Sequence, residues 1–435
     1  MELDGYDLVE VARDHGTPTH VASKRRLLDN CERVSSVFGA ALHDCEVFYS
    51  YKTNCVPGLL RLIHDQGIGA EVISPYELWL AIELGLPGRR IIYNGPHKSK
   101  ESLGLAIGND LKLINADSMS DLMAIAEVCR TIGRSANIGL RLCPRRGWNA
   151  QFGFQMHNGE AAAGLRFIAE NEAVLKLKGI HLHLGSQIGD RSVFGHALDE
   201  ALAFMSETGA MADGRIEYLD LGGGYPVPTV RDVGGLERRI CRLLGRPWAP
   251  PRPGSLPNLS DVAAIMAATL RRYTDGMARP PTVIVEPGRA ITSGAQILLL
   301  AVRALKPRAP PIAILDGGKM NITVPTSFEF HHVLAANRMR EPSLRNYRLV
   351  GRTCTPSDLV YDAVRLPELS EGDVLAVMDA GAYFTSFSSD FAYPRPPVLL
   401  ADAGSVTVLR DRESFVGIAA RDRVDSSPAR PAVVA

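Results

Sequence analysis

The sequence has no excess of charge of either sign. Its 435 residues carry 48 lysines and arginines against 48 aspartates and glutamates, which gives a formal net charge of zero. Nucleic acids and anionic membranes attract proteins through clustered positive charge. The composition therefore favours neither a nucleic-acid partner nor a membrane partner.

Long apolar runs and secretory features are also lacking. No stretch approaches the roughly 20 apolar residues that a transmembrane helix requires. The N-terminus is acidic, with Glu2, Asp4 and Asp7, and has neither the basic nor the apolar region of a signal peptide. The seven cysteines form no Cys-x-x-Cys pair. We therefore expect a cytoplasmic protein in which most cysteines are buried, reduced thiols.

What the sequence does contain is a regular alternation of two patterns. Eight short apolar runs with strand character lie at residues 46–51, 68–73, 90–93, 111–115, 137–142, 177–184, 216–221 and 282–286. Stretches with helical spacing lie between them, for example at 58–64, 76–84, 118–131, 162–170 and 262–273. Eight buried strands that alternate with helices predict an α/β fold, a (β/α)8 TIM barrel.

The last third of the chain has a different pattern. Strand-like runs at 296–302, 313–315, 373–378, 398–400 and 406–410 are separated by glycine and proline turns. The chain is also longer than a usual single domain, so we expect a second, mostly β domain. Proline-rich residues 226–258 are expected to form an extended surface insertion, and residues 422–435 a disordered tail.

Polar residues collect where the predicted strands end, which in a TIM barrel is the rim that carries the chemistry. Two carboxylates, two arginines, a histidine, a lysine and a glycine triplet occur at these positions. The rim residues are Lys52, Glu71, Ser74, Asn94, Arg141, His183, Gly222, Gly223, Gly224, Glu286 and Arg289. Because the strand ends of a barrel meet on one rim, we expect these side chains to form one site.

The residue types in this site suit pyridoxal phosphate. In a partly desolvated pocket the Lys52 amine loses its proton more easily and can form a Schiff base. The glycine triplet lets backbone N–H groups approach a phosphate, and Arg289 supplies a cation for it. Glu286 can pair with a protonated ring nitrogen, while His183 offers a flat face for stacking.

Six motifs in order make the chain resemble the fold type III pyridoxal-phosphate decarboxylases, the group of diaminopimelate, ornithine and arginine decarboxylases. The likeness runs from about residue 16 to residue 403. It implies a cofactor-binding barrel over residues 27–290 and a β domain from residues 1–26 and 291–421, completed by an N-terminal strand near 18–21. The motifs are Tyr51-Lys52-Thr53-Asn54, His183-Leu184-Gly185-Ser186-Gln187, Leu221-Gly222-Gly223-Gly224-Tyr225, Glu286-Pro287-Gly288-Arg289, Cys354 with Asp358, and Gly381-Ala382-Tyr383.

The resemblance also implies a role for each matching residue. Lys52 would carry the cofactor as a Schiff base, His183 would stack on its ring, and Glu286 would pair with the ring nitrogen. Cys354 would come from the partner subunit of a homodimer with shared active sites and would protonate the carbanion after carbon dioxide leaves. The phosphate would be bound by Ser186, Gly222, Gly223, Gly224, Arg289 and Tyr383.

Departures from the family pattern bear on the substrate. Thr355 stands where an acidic residue follows the cysteine in diaminopimelate and ornithine decarboxylases, and Val324 and Phe328 replace an arginine and a tyrosine. A buried ammonium that lacks its carboxylate partner costs roughly 3–5 kcal/mol. We therefore expect an amino acid other than free diaminopimelate, with a neutral, acidic, acylated or carrier-linked side chain, as in secondary-metabolite or siderophore pathways. The candidate substrate-binding residues are Thr355, Asp358, Val324 and Phe328, with Lys319 or Arg395 as partners for a negative group.

Several alternatives remain open. One is decarboxylation of diaminopimelate itself in lysine biosynthesis. An amino-acid racemase shares the barrel and the cofactor, but it usually leaves the ring nitrogen unprotonated against an arginine, unlike Glu286. A non-catalytic homologue has no need for the whole set of matching residues. His181 and His183 resemble a metal-hydrolase motif, but the later strands supply no further typical ligands, so no metal is expected.

Overall fold

A ring of eight parallel strands forms the centre of the larger domain. The computed structural model describes residues 1–148, 151–211, 215–322 and 327–422. Each barrel strand pairs with the next, and the last pairs with the first, so the sheet is closed. All eight predicted runs coincide with these strands to within a few residues, and the predicted TIM barrel is confirmed. The strands are Cys45–Ser50, Gly69–Val72, Ile91–Tyr93, Leu113–Ala116, Ala136–Cys143, Leu175–His181, Tyr218–Asp220 and Thr282–Val285.

Amphipathic helices cover the outside of this ring. Their apolar residues recur at helical spacing, and Lys24–Ala41 buries Leu27, Cys31, Val34 and Phe38 along one face. Serine side chains cap the first turn of several of them and so satisfy N–H groups that lack a helical partner. These helices are Lys24–Ala41, Pro57–His64, Pro75–Glu83, Lys100–Gly108, Met119–Ile132, Glu160–Glu170, Ser192–Glu207 and Leu259–Thr274.

The second domain is mostly β, as predicted, and includes the expected N-terminal strand. Three of its strands, Val333–Ala335, Arg345–Val350 and Leu359–Leu366, lie outside the runs recognised in the sequence. The full set of its longer strands is Thr19–Ser23, Gln296–Lys306, Ile312–Leu315, Val333–Ala335, Arg345–Val350, Leu359–Leu366, Val374–Val377, Val398–Asp402 and Ser405–Arg410. Shorter elements are the strands Glu2–Leu3, Tyr6–Asp7, Phe154–Gln155, Arg231–Asp232 and Glu329–Phe330, and the helices Leu8–His15, Arg289–Thr292, Lys319–Ile322, Phe384–Phe387 and Phe415–Ala419.

The strand Gln296–Lys306 organises the second domain. It pairs with Thr19–Ser23, Val374–Val377 and Ile312–Leu315. Because successive side chains of a strand point to opposite faces, Leu298 and Leu300 enter one apolar cluster while Ile297 and Leu299 enter another. One long strand therefore contributes to two cores and holds the N-terminal segment against the C-terminal part of the chain.

The insertion at 226–258 is not simply extended, which corrects the expectation from its prolines. Strand Arg231–Asp232 pairs antiparallel with Glu329–Phe330, and a 10-residue helix, Gly235–Leu244, follows. The apolar residues Leu236, Ile240 and Leu243 repeat at helical spacing, but all three are exposed. The apolar face of this helix is therefore not buried against the rest of the chain.

Three further expectations concern the ends and surface of the chain. The predicted disordered tail lies outside the described residues except for Asp422. The predicted domain limits stay a prediction. Among the described residues, no helix combines the length and the apolar character needed for a membrane span.

Candidate active site

A cavity at the carboxyl end of the barrel brings together residues from both domains. Six lining residues are not among the predicted site residues: Ser50, Thr53, Gly185, Tyr225, Gly288 and Ala290. The predicted site residues that line it are Lys52, His183, Ser186, Gly224, Glu286, Arg289 and Tyr383.

Lys52 lies in a single turn of 3-10 helix, Tyr51–Thr53, directly after the first barrel strand. Its Nζ is 3.7 Å from Glu71 Oε2, and 27% of the side chain is exposed. The second domain fixes this turn, because the Tyr383 amide donates to Thr53 O at 2.8 Å. The buried Asn54 side chain donates to Gln296 Oε1 at 3.1 Å and to Gly381 O at 3.2 Å.

The charge on Lys52 corrects one expectation. Burial by itself lowers the pKa of the Lys52 amine, as the sequence predicted. The negative groups around it, chiefly Glu71 and then Tyr383 and Glu286, outweigh burial and raise the pKa above its ordinary value. In this state Lys52 is therefore an ammonium, and it must give up a proton before it can act as a nucleophile.

Three buried carboxylates lie beneath Lys52, and two asparagines join them. Asn94 Nδ2 donates to Glu71 Oε1 at 2.9 Å and to Glu286 Oε1 at 2.7 Å. Asn115 Nδ2 donates to Asn94 Oδ1 at 2.7 Å and to Asp220 Oδ2 at 3.1 Å. The network connects residues in or directly after five strands of the barrel and holds Glu286 in one orientation.

The three carboxyl groups differ in protonation. Burial and the nearby Glu286 charge raise the pKa of Asp220 well above its usual range. Burial also raises the pKa of Glu71, although Lys52 opposes it. For Glu286 burial acts in the same direction, but His181 and His183 prevail and hold the pKa well below the usual range. Glu286 is thus the ionised member, and Asp220 the protonated one.

Two histidines flank Glu286. His181 Nε2 and His183 Nδ1 lie 3.6 Å and 3.5 Å from Glu286 Oε2. Burial, followed by the charge on Lys52, lowers the pKa of His183 to about 3. The ligand atoms of these three residues lie within 4.8 Å of one another, a spacing that also suits a metal ion. The expectation of no metal therefore stays a prediction.

The glycine triplet is closely packed by backbone. Gly222 and Gly224 have φ of +63° and +90°, where side chains are strained. A Cβ on Gly222 would lie 2.2 Å from Leu182 O, and one on Gly223 would lie 2.4 Å from Glu286 O. Because only glycine fits here, the loop presents bare backbone to the cavity.

Arg289 is held by a carboxylate of the second domain. Its Nη1 and Nη2 donate to Glu329 Oε2 and Oε1 at 3.0 Å and 2.7 Å. Its guanidinium also lies 5.2 Å from the centre of the Tyr383 ring. Each terminal nitrogen gives one N–H to Glu329, so a phosphate contact would use the remaining N–H groups, among them Nε, which is buried without a partner, or the backbone. The phosphate role stays a prediction.

The predicted substrate residues that the structure describes do not line the cavity. Cys354 and Phe328 are exposed and Thr355 is half-buried. Val324 lies outside the described residues. Of the two suggested anion partners, Arg395 is paired with Glu413, while burial lowers the pKa of Lys319 to about 8.

Asp358 has a structural role in this geometry. It is buried and accepts from the backbone N–H groups of Lys319 at 2.7 Å and Thr353 at 2.8 Å, and from the Thr353 hydroxyl. These bonds tie the loop that carries Cys354 to the loop after strand Ile312–Leu315. Asp358 therefore braces the cysteine loop within its own chain, which differs from the substrate contact predicted for it.

Sequence reasoning did not single out Asp220, Asn115, Glu329 or His331. Asp220 and Asn115 are polar residues inside predicted barrel strands, and a buried carboxyl in an apolar strand was the signal that could have found Asp220. Glu329 Oε2 also lies 3.3 Å from His331 Nε2. Glu329 and His331 gave no comparable signal, since they lie in a segment without a clear pattern.

Comparisons with known proteins agree with this geometry. Residues 26–293 match the family described as pyridoxal-dependent decarboxylase, pyridoxal binding domain. A diaminopimelate decarboxylase of Methanocaldococcus jannaschii is 29% identical, over 97% of this chain and 94% of its own. That of Methanothermobacter thermautotrophicus is 30% identical, over 95% and 93%. A crystal structure of the M. jannaschii enzyme in co-complex with L-lysine is 28% identical, with a TM-score of 0.87 over 98% and 96% of the two chains.

The depressed pKa of His183 predicts a pH-dependent stability in the cofactor-free protein. Below about pH 6.5 the unfolded chain protonates this histidine, whereas the folded chain keeps it neutral down to about pH 3. Acid therefore favours unfolding, and the free energy of unfolding should fall as the pH drops from 6.5 to 4. His183→Asn should reduce that slope by up to about 1.4 kcal/mol per pH unit in urea titrations.

His196→Asn is the matched control, because His196 is an exposed histidine. Its slope should equal that of the wild type. Equal slopes for the wild type and His183→Asn would contradict the burial of a neutral His183.

Proposed function

The chain belongs to the pyridoxal-dependent decarboxylase family, and on that premise we propose that Lys52 carries pyridoxal phosphate and that the cavity removes the α-carboxylate of an amino acid. One observation carries the assignment of the lysine. The Lys52 amine projects into a cavity that also contains an ionised carboxylate, Glu286, and a loop of bare glycine backbone. A racemase or a non-catalytic homologue finds no support in the comparisons.

The residues of the cavity fit this cofactor. Glu286 Oε2 is fully buried without a hydrogen-bond partner, as the acceptor for a protonated pyridine nitrogen should be. Side chains are excluded from the glycine loop, which suits close approach by a phosphate. His183 lies beside Glu286, where its ring can cover one face of the cofactor. When bound, pyridoxal phosphate supplies an electron sink for the carbanion that loss of carbon dioxide leaves.

Glu71 is suited to handle the Lys52 proton. It is buried and is the nearest carboxylate to the amine, at 3.7 Å. Burial raises the pKa of Glu71, so it accepts a proton more readily than an exposed glutamate. We assign it the role of taking the proton that Lys52 must lose before it attacks.

The lysine assignment predicts the site of cofactor attachment. Borohydride reduction of the loaded protein should fix the cofactor to Lys52, and peptide mapping should find the adduct there. Lys52→Ala should give no adduct and no turnover, although the phosphate contacts can retain some cofactor. Glu71→Gln should still form the adduct, but more slowly in stopped-flow absorbance. An adduct on any other lysine would exclude the assignment.

Cys354 is proposed to act across a subunit boundary. It is exposed and does not line the cavity of its own chain, so an acid at this position can reach a site only in another chain. Among the described cysteines, the other six are buried or half-buried. The braced loop around Asp358 presents Cys354 outward, which supports a homodimer with shared sites.

Mixing two inactive variants tests this arrangement. Lys52→Ala and Cys354→Ala each remove one part of every site in a homodimer. A mixed dimer has one intact site, so random exchange should restore about a quarter of wild-type activity. The variants should show no activity alone. A fully active monomer in sedimentation velocity would rule out the shared site.

Two substrate candidates have different support. The relatives are named diaminopimelate decarboxylases, and their similarity extends over nearly the whole chain. The comparisons therefore favour meso-diaminopimelate over the substrate class predicted from the sequence. A neutral or acylated side chain is the second candidate, favoured by Thr355 in place of an acid and by the closed Arg289–Glu329 pair.

A panel of amino acids separates these candidates. Carbon dioxide release should be measured for meso-diaminopimelate, lysine, ornithine, Nε-acetyl-lysine and norleucine with the loaded enzyme. If the relatives indicate the substrate, meso-diaminopimelate should exceed the others in kcat/KM by about a hundredfold, because in this panel it alone carries both an ammonium and a carboxylate at the far end of the side chain. A higher kcat/KM for Nε-acetyl-lysine would favour the second candidate. Epimerised product without carbon dioxide would contradict decarboxylation.

A further inference from the structure

The Arg289–Glu329 ion pair lowers the affinity of the cavity for negatively charged groups. The two side chains form parallel hydrogen bonds of 3.0 Å and 2.7 Å, and both are about 95% buried. A bidentate pair of this kind uses one N–H of each terminal nitrogen and fixes the guanidinium against the carboxylate. In water-free surroundings the carboxylate also cancels most of the positive potential that Arg289 would project into the cavity.

Arg289 matters because cations are scarce around this cavity. Among its described lining residues, the cationic side chains are Lys52 and Arg289. Lys52 is assigned to the cofactor. Arg141, which ends a neighbouring strand, is paired with Asp117 at 3.1 Å. With the phosphate at the glycine loop, Arg289 is the remaining cation among the described lining residues for a second carboxylate on a substrate.

Glu329 is firmly held in place. Its Oε2 lies 3.3 Å from His331 Nε2, and its backbone oxygen accepts from the Tyr361 hydroxyl at 3.3 Å. Its strand pairs with Arg231–Asp232 of the insertion. The Arg289 guanidinium is therefore held against the second domain. The glycine loop, in contrast, follows the barrel strand Tyr218–Asp220.

We propose that Glu329 is a specificity-determining residue that occupies Arg289 and so lowers the affinity of the cavity for substrates whose side chain ends in a carboxylate. The proposal rests on the proposed amino-acid decarboxylation. A carboxylate at the far end must displace Glu329 from Arg289 or meet a guanidinium whose charge Glu329 already neutralises. A substrate side chain with an uncharged end needs no cation. Glu329 therefore shifts the preference of the cavity toward substrates whose side chain ends in an uncharged group.

Glu329→Gln tests the proposal, because it removes the charge and keeps the shape. The probes are pimelate and heptanoate, two unreactive acids of equal length that differ in the second carboxylate. Their binding to the cofactor-loaded enzyme is measured by calorimetry. The ratio of pimelate to heptanoate affinity should rise about tenfold in Glu329→Gln, which corresponds to one regained charge-assisted contact. The ratio of kcat/KM for meso-diaminopimelate to that for norleucine should rise in parallel.

Two controls identify the cause. Glu368→Gln breaks another Arg–Glu pair, with Arg345, outside the cavity and away from the strand of Glu329, and should leave both ratios unchanged. The double variant Arg289→Met with Glu329→Met removes both charges together, a change that buried pairs often tolerate. Its ratio of pimelate to heptanoate affinity should be no higher than that of the wild type, because the higher ratio requires an Arg289 that is not neutralised by Glu329.

The outcomes separate this proposal from the proposed function. An unchanged or lower pimelate ratio in correctly folded Glu329→Gln overturns the role of Glu329. A gain that persists in the double variant overturns the role of Arg289. If no amino acid releases carbon dioxide, the proposed function fails, yet the binding ratio still decides the role of Glu329.

Discussion

The barrel mouth is built around the cost of burying carboxylates. Glu71, Asp220 and Glu286 are all fully buried within one network, and three adjacent negative charges there would be prohibitively unfavourable. The structure avoids this cost by protonating Asp220, by placing Lys52 near Glu71, and by surrounding Glu286 with histidines and an asparagine. Glu286 is thereby kept as an anion in the lining of the cavity.

The site also depends on both domains of the chain. The turn that carries Lys52 bonds to Tyr383 and Gly381 of the second domain, and Arg289 bonds to Glu329. Tyr383 itself adopts a φ of +69°, unusual for a residue with a side chain. Strain of this kind persists where the surrounding contacts fix the backbone, and here it places a second-domain residue in the cavity wall.

Much of the fold and part of the site follow from local patterns. The eight barrel strands are apolar runs that repeat in step with helices, and that periodicity survives in the sequence alone. Lys52, His183, Glu286 and the glycine triplet stand at strand ends, which topology brings to one rim. Glu329 could not be found this way, because its partner lies 40 residues earlier and only tertiary pairing joins them. The raised pKa of Lys52 was missed for the same reason, since Glu71 comes from a different strand.

The pairing of Arg231–Asp232 with Glu329–Phe330 links a surface insertion to the carboxylate that binds Arg289 in the cavity lining. Insertions on barrel loops are usually free to lengthen, shorten or disappear, because nothing in the core registers the change. In this chain a loss of those residues would remove the strand beside Glu329. The insertion therefore helps to position Arg289, and transferring the Arg289–Glu329 pair to a related barrel would require the insertion to be transferred with it.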